Sequence, residues 1–145
     1  MTGCSRQTIY SHYEPIAPEG WERYDSVCFD IPIIIEDGNY SQTIGLRTDN
    51  AYPYKNLTLV VDYRLKKTDP RPQTLQWRDT LEVRITDNEG NVLGTGINHY
   101  QYEMALPNIM LHIDDSLHVS VRHLMRRECL PGITDIGFTV SRRKE

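Results

Sequence analysis

An all-β chain, an antiparallel β-sandwich of about seven or eight strands in a single domain, is what this sequence predicts. Three observations carry the prediction. Apolar side chains recur at every second position in successive segments, the period of a strand with one buried face. Turn signals punctuate those segments: Asp37-Gly38-Asn39, Asn88-Glu89-Gly90-Asn91, Asp114-Asp115 and Pro131-Gly132. A helical period is almost absent, and a turn near residues 124–129 is the one helical candidate. Jelly-roll-like and immunoglobulin-like arrangements both remain open. A chain of 145 residues suits one domain and can bury a core without help from disulfides or metal.

The elements follow in order. Residues 1–22 read as an N-terminal segment and extended lead-in, because Pro15, Pro18 and Gly20 interrupt it and little periodicity survives. Its aromatics, Tyr10, Tyr13 and Trp21, are expected on the sandwich surface or plugging one end. The sandwich itself is expected over residues 23–142. A first strand over 23–35 would turn Val27, Phe29, Ile31, Ile33 and Ile35 inward. Pro32 cannot donate a ladder hydrogen bond, so this is an edge or bulged strand. A second, over 40–48, sets Gln42, Ile44 and Leu46 against Thr43, Gly45 and Arg47. Leu57, Leu59, Val61, Tyr63 and Leu65 mark a third.

After a proline-containing loop over 68–73, with Trp77 just beyond, Leu81, Val83 and Ile85 mark a fourth strand. Gly90 can take the left-handed conformation of a tight hairpin, and residues 92–95 return from it. Residues 98–106 are a mixed strand and 109–113 a short apolar one. Leu117, Val119 and Val121, then Ile136, Phe138 and Val140, form the closing strands. Phe29, Val83, Val119 and Phe138 are therefore expected to share one interior.

The net charge of -4 gives no general pull toward nucleic acid. Charge is uneven, however. Residues 117–145 carry Arg122, Arg126, Arg127, Arg142, Arg143 and Lys144 against Glu128, Asp135 and Glu145, a net +3 that leaves about -7 elsewhere. That end reads as a solvated tail and turn, or as a contact for an acidic partner or an anionic lipid surface. No apolar run approaches the ~18 residues of a membrane-spanning helix. Thr2-Gly3-Cys4 resembles the tail of a bacterial lipoprotein signal, in which a small residue precedes the cysteine that is lipidated; an ordinary N-terminus is the alternative. Cys28 and Cys129 are the other cysteines, either separate thiols or a bond in an oxidising compartment.

Chemistry is poorly marked. His118 and His123, an odd step apart, face opposite sides of a strand, and no HExxH or CxxC pattern occurs, so no metal site and no cofactor are expected. There is no GxSxG elbow, no phosphate-cradling glycine loop and no marked carboxylate pair, so no catalytic residues are assigned. Asp87 before Gly90 fits a turn better than a calcium loop. The aromatics Tyr52, Tyr54, Trp77 and Tyr102 suit either a sugar-stacking platform or the ends of the sandwich.

One set of segments carries a resemblance. It comprises Leu46-Arg47-Thr48, Tyr52-Pro53-Tyr54-Lys55-Asn56-Leu57, Asp79-Thr80-Leu81, residues 90–96, Met125-Arg126 and residues 130–137. In this order and spacing they resemble the gliding-motility lipoprotein GldH family; Leu93 departs from it where tryptophan is frequent. The resemblance implies lipidation of Cys4 and a non-enzymatic, lipid-anchored protein of the cell envelope. Ser5 is compatible with the outer membrane, and the absence of acidic residues just after Cys4 with a domain facing the periplasm. It implies protein partners in a motility and secretion complex, for which Arg47, Tyr52, Tyr54, Arg126 and Arg127 are the candidate contacts. A carbohydrate-binding sandwich is the alternative.

Overall fold

Strand follows strand along the whole of residues 6–143, which the computed structural model describes. The strands are β1 (Arg6–Pro15), β2 (Trp21–Glu22), β3 (Val27–Asp30), β4 (Gly38–Asp49) and β5 (Asn56–Lys67). The second half adds β6 (Gln73–Arg84), β7 (His99–Leu111), β8 (Ser116–His123), β9 (Cys129–Leu130) and β10 (Ile133–Arg143). One sheet has the order β1-β10-β4-β7 and the other β3-β8-β5-β6, while β2 and β9 form a small separate ladder.

The eight strands of the two main sheets pair as a nested set: β1 with β10, β3 with β8, β4 with β7 and β5 with β6. Every one of these pairings is antiparallel. This is one long ribbon rolled over on itself, the jelly-roll arrangement of a double-sheet sandwich. The immunoglobulin alternative falls, because here the first long strand closes against the last.

Alternation along each strand fills the space between the sheets. In β5, Leu57, Leu59, Val61, Tyr63 and Leu65 are buried, and in β8 Leu117, Val119, Val121 and His123. Phe29 of one sheet stacks on Phe138 of the other with ring centroids 5.7 Å apart. Phe29, Val83, Val119 and Phe138 do share one core. Burying a side chain of this size contributes about 1.5–3 kcal/mol.

Four local expectations need correction. The lead-in is not outside the sandwich: residues 6–15 are β1, an edge strand paired with β10 from Arg6↔Arg143 to Pro15↔Asp135. Its alternation is faint because both faces of an edge strand stay partly wet. The expected strand over 23–35 pairs only over Val27–Asp30. Pro32 ends the alternation, so Ile34 is buried while Ile33 and Ile35 are exposed. The two strands expected over 98–106 and 109–113 are one, β7 (His99–Leu111), paired to β4 with a register slip at a bulge between Tyr40 and Gln42. Residues 126–128 are bends, not a helical turn.

Two glycines explain how β1 is held. Gly137 and Gly45 are register partners on β10 and β4, and Gly137 also pairs with Tyr13 of β1. The Tyr13 side chain lies flat across both. A Cβ at Gly137 would sit 2.7 Å from the Tyr13 ring, and one at Gly45 2.6 Å from its Cζ. The Tyr13 hydroxyl reaches Gln101 of β7, so one side chain straps all four strands of the sheet. Gly137→Ala should therefore lower unfolding stability by about 1–3 kcal/mol, as overpacking does. In a Tyr13→Ala background the same change should cost much less, a difference that urea denaturation of the two pairs would reveal.

Candidate functional site

Loops 49–56, 84–99 and 123–133 meet at one end of the sandwich, called here the upper rim. Its floor is Trp21 of β2, whose indole N–H donates to the Asp25 carbonyl at 2.8 Å. The ring meets His123 edge-on at 5.2 Å. His123 Nε2 donates to the carbonyls of Trp21 (2.8 Å) and Glu128 (3.2 Å), and its Nδ1 accepts from the Met125 N–H at 3.2 Å. Both ring nitrogens are thus committed to the neutral tautomer. Burial holds this imidazole below the usual histidine range.

Residues 49–54 are fixed from both sides. The Asp49 N–H donates to the Gly132 carbonyl at 2.9 Å, and the Ala51 N–H to the Asp49 carboxylate at 2.8 Å. Gly132 has φ +87°, and a Cβ there would come within 2.7 Å of the Tyr52 Cβ, so only glycine lets the two loops approach. The Tyr52 hydroxyl donates to the Asn56 carbonyl at 2.6 Å. Burial pushes its phenol well above the usual tyrosine range. Tyr54 packs edge-on against Tyr52 at 5.9 Å and is left exposed.

Arg47 stands on β4 with its guanidinium 3.8 Å above the Tyr13 ring, donating to Gln101 Oε1 at 3.0 Å. Arg47, Tyr100, Gln101, Thr134 and Asp135 line a shallow groove of about 320 Å³. Arg126 and Arg127 are exposed on the β8–β9 connection. That connection is held from below: the Arg23 guanidinium donates to the carbonyls of Met125 (3.1 Å) and Arg126 (3.3 Å), and the Leu124 N–H to the Thr58 carbonyl (2.9 Å).

Tyr52, Tyr54, Arg126 and Arg127 therefore lie on the rim loops and Arg47 just below them on β4, in two roles. Arg47 and Tyr52 touch scaffold. Tyr54, Arg126 and Arg127 offer their side chains to solvent, and Leu93, Ile97 and Leu124 are exposed on loops of the same end. Those three apolar residues, and the Tyr13 strap, escaped sequence reasoning. The pair Gly45 and Gly137 within strands was the available signal for the strap, since such glycines mark a close approach.

The sugar-stacking platform does not assemble. Tyr102 is buried with its hydroxyl on the Ile85 carbonyl at 2.9 Å. Trp77 lies on a different part of the molecule, stacked on Tyr63 at 4.9 Å. A larger groove, about 440 Å³, crosses the outer face of β8, β5 and β6. Its charges are largely paired off: Asp62 with Arg78 (2.6 Å) and Arg122 (3.7 Å), and His118 with Asp30. Such a face is well solvated without a ligand. Cys28 and Cys129 are free thiols. Cys4 lies outside the described residues.

A family model described as GldH lipoprotein matches residues 8–140. The chain belongs to the GldH lipoprotein family. The gliding motility lipoprotein GldH of Flavobacterium johnsoniae is 24% identical over 150 residues, covering 99% of this chain and 90% of the relative. A GldH homolog from Christiangramia forsetii is 28% identical over 151 residues, covering 98% and 88%. Among solved structures, a CocE/NonD family hydrolase from Staphylococcus aureus matches with TM-score 0.44 and 9% identity over 94% of this chain and 33% of its own. That likeness is too weak to carry any argument. The β4–β5 loop and the β9–β10 turn, joined through Gly132, lie inside the matched region.

His123 yields a pH prediction. Its folded-state value lies below the unfolded one of about 6.5. The unfolded chain then binds the extra proton, so the contribution is complete above about pH 6.5 and is lost as pH falls through it. Wild-type stability in urea should drop on acidification by up to about 1.4 kcal/mol per pH unit more than that of His123→Gln, until the folded-state value is reached. Parallel curves for the two proteins would contradict this.

Proposed function

We propose that this GldH-family protein is a non-enzymatic lipoprotein of the bacterial envelope, held by acyl chains on Cys4, and that its upper rim docks protein partners of a motility and secretion complex. The outer membrane, with the domain facing the periplasm, is the proposed location. The family membership supports the anchor: a GldH lipoprotein is named for it. A single acyl chain binds a bilayer only marginally, and stable attachment takes more than one, as a lipidated cysteine supplies.

The observation that carries the docking reading is the composition of the rim. Exposed Tyr54, Arg126 and Arg127 stand on loops whose backbones are already hydrogen-bonded, with Leu93, Ile97 and Leu124 exposed on the same end. Tyrosine and arginine dominate binding energy at protein interfaces, and rigid loops lose little entropy on docking. Arg47 and Tyr52 belong to the same contact as the residues that hold its shape. The partner surface is expected to be acidic where it meets Arg126 and Arg127.

Two measurements test this. Cys4→Ser should move the protein from the membrane to the soluble fraction of cells. Arg126→Glu with Arg127→Glu should leave it in the membrane, with an unchanged unfolding midpoint, and remove the envelope proteins that copurify with it. Copurification of an unchanged set would end the docking proposal.

A further inference from the structure

The end opposite the upper rim carries a second group of exposed apolar side chains. Ile33 (62% exposed) and Ile35 (78%) lie on the β3–β4 connection, Ile113 (51%) on the β7–β8 turn, and Met110 (58%) on the last rungs of β7. Scattered surface hydrophobes are ordinary, but four at one end of a small domain form a patch. The backbone holds them there. The Ile34 N–H donates to the Asp115 carbonyl (3.0 Å) and the Asp114 N–H to the Ile34 carbonyl (2.8 Å). The Ile113 N–H donates to the Asp37 carboxylate at 2.8 Å. Ile34 is buried as the plug of this end, which leaves its neighbours Ile33 and Ile35 facing outward.

The chain enters the fold at this same end. Arg6 pairs with Arg143, Arg142 with Tyr40, and Asn39 with Met110, so Arg6 and Met110 stand at the same level of the sheet. Three strand spacings separate them, roughly 15 Å. Arg6 is two residues from Cys4, a reach of at most about 7 Å. A polar headgroup layer is itself roughly 5–7 Å thick on each side of the hydrocarbon core. With acyl chains on Cys4 there is no room for a spacer, because β1 is already part of the sheet.

We propose that the lower end of the sandwich is a bilayer-contact face, with Ile33, Ile35, Ile113 and Met110 seated among lipid headgroups. This rests on the acylation of Cys4. Charge is not the driving force. Arg142 faces Glu36 at 3.6 Å and Lys67 is paired with Asp115 at 2.8 Å. Arg6, Arg143, Lys66 and Arg71 share this end with Asp37, Asp69 and Asp114, so it carries little net charge. The contact is apolar, so it forms on uncharged lipid.

The test uses the full-length acylated protein in phosphatidylcholine vesicles, with Cys28→Ser and Cys129→Ser. Single nitroxide labels are attached at Ile35→Cys, Ile113→Cys or, on the opposite rim, Ile97→Cys. The proposal expects the labels at 35 and 113 to be shielded several-fold from a water-soluble nickel relaxant relative to 97, and to gain access to oxygen. Equal nickel access at all three positions, in protein that floats with the vesicles, would overturn the contact face while leaving the anchor intact. Protein that fails to float, and behaves as Cys4→Ser does, would overturn both.

Discussion

The pairing of the first long strand with the last is the constraint on which the rest of this molecule depends. β1 and β10 come from opposite ends of the chain, and their ladder closes one edge of the sheet that carries β4 and β7. Backbone hydrogen bonds alone would make this edge a weak one, since each contributes about 1 kcal/mol net. Tyr13 adds a side-chain strap. It crosses Gly137 and Gly45, which give it room, and it carries the Arg47 guanidinium on its upper face. Arg47, a candidate contact by sequence, is also a part of that closure.

Closure at β1 also decides how the domain is oriented. The strand runs from Arg6, at the lower end, to Pro15, beside Asp135 near the upper rim. A strand of this length spans roughly 30 Å. The two ends of the sandwich thus differ in kind. The lower end offers isoleucine and methionine close to where the chain enters. The upper end offers tyrosine, arginine and leucine on loops tied down by Gly132, Arg23 and the Trp21–His123 contact. If Cys4 is acylated and the upper rim docks partners, as proposed, the domain is a fixed link between membrane and protein partners.

The interior tolerates few departures from dryness, and His123 is the instructive one. It occupies an inward position of β8 where a hydrophobe would continue the pattern. Its two nitrogens satisfy two carbonyls and an N–H from β2 and the β8–β9 connection, which a hydrophobic side chain would leave unpaired and buried. The histidine therefore ties the small β2–β9 ladder to the main sandwich.

Where a strand continues unbroken, alternation in the sequence already determined which side chains enter the core, since a period of two is a local property that any strand must obey. That is why Leu57 to Leu65, Leu117 to Val121 and Ile136 to Val140 were legible, together with the turn at Gly90, the edge character implied by Pro32 and the family itself. Tertiary structure decided what local pattern does not encode. Ladder hydrogen bonds are made by the backbone and are the same for every residue, so the sequence of β1 does not name β10 as its partner. For the same reason the exposure of Ile33 and Ile35, the gathering of Tyr54 with Arg126 and Arg127 on one rim, and the strap over two glycines follow from which strands meet, and from nothing nearer in the chain.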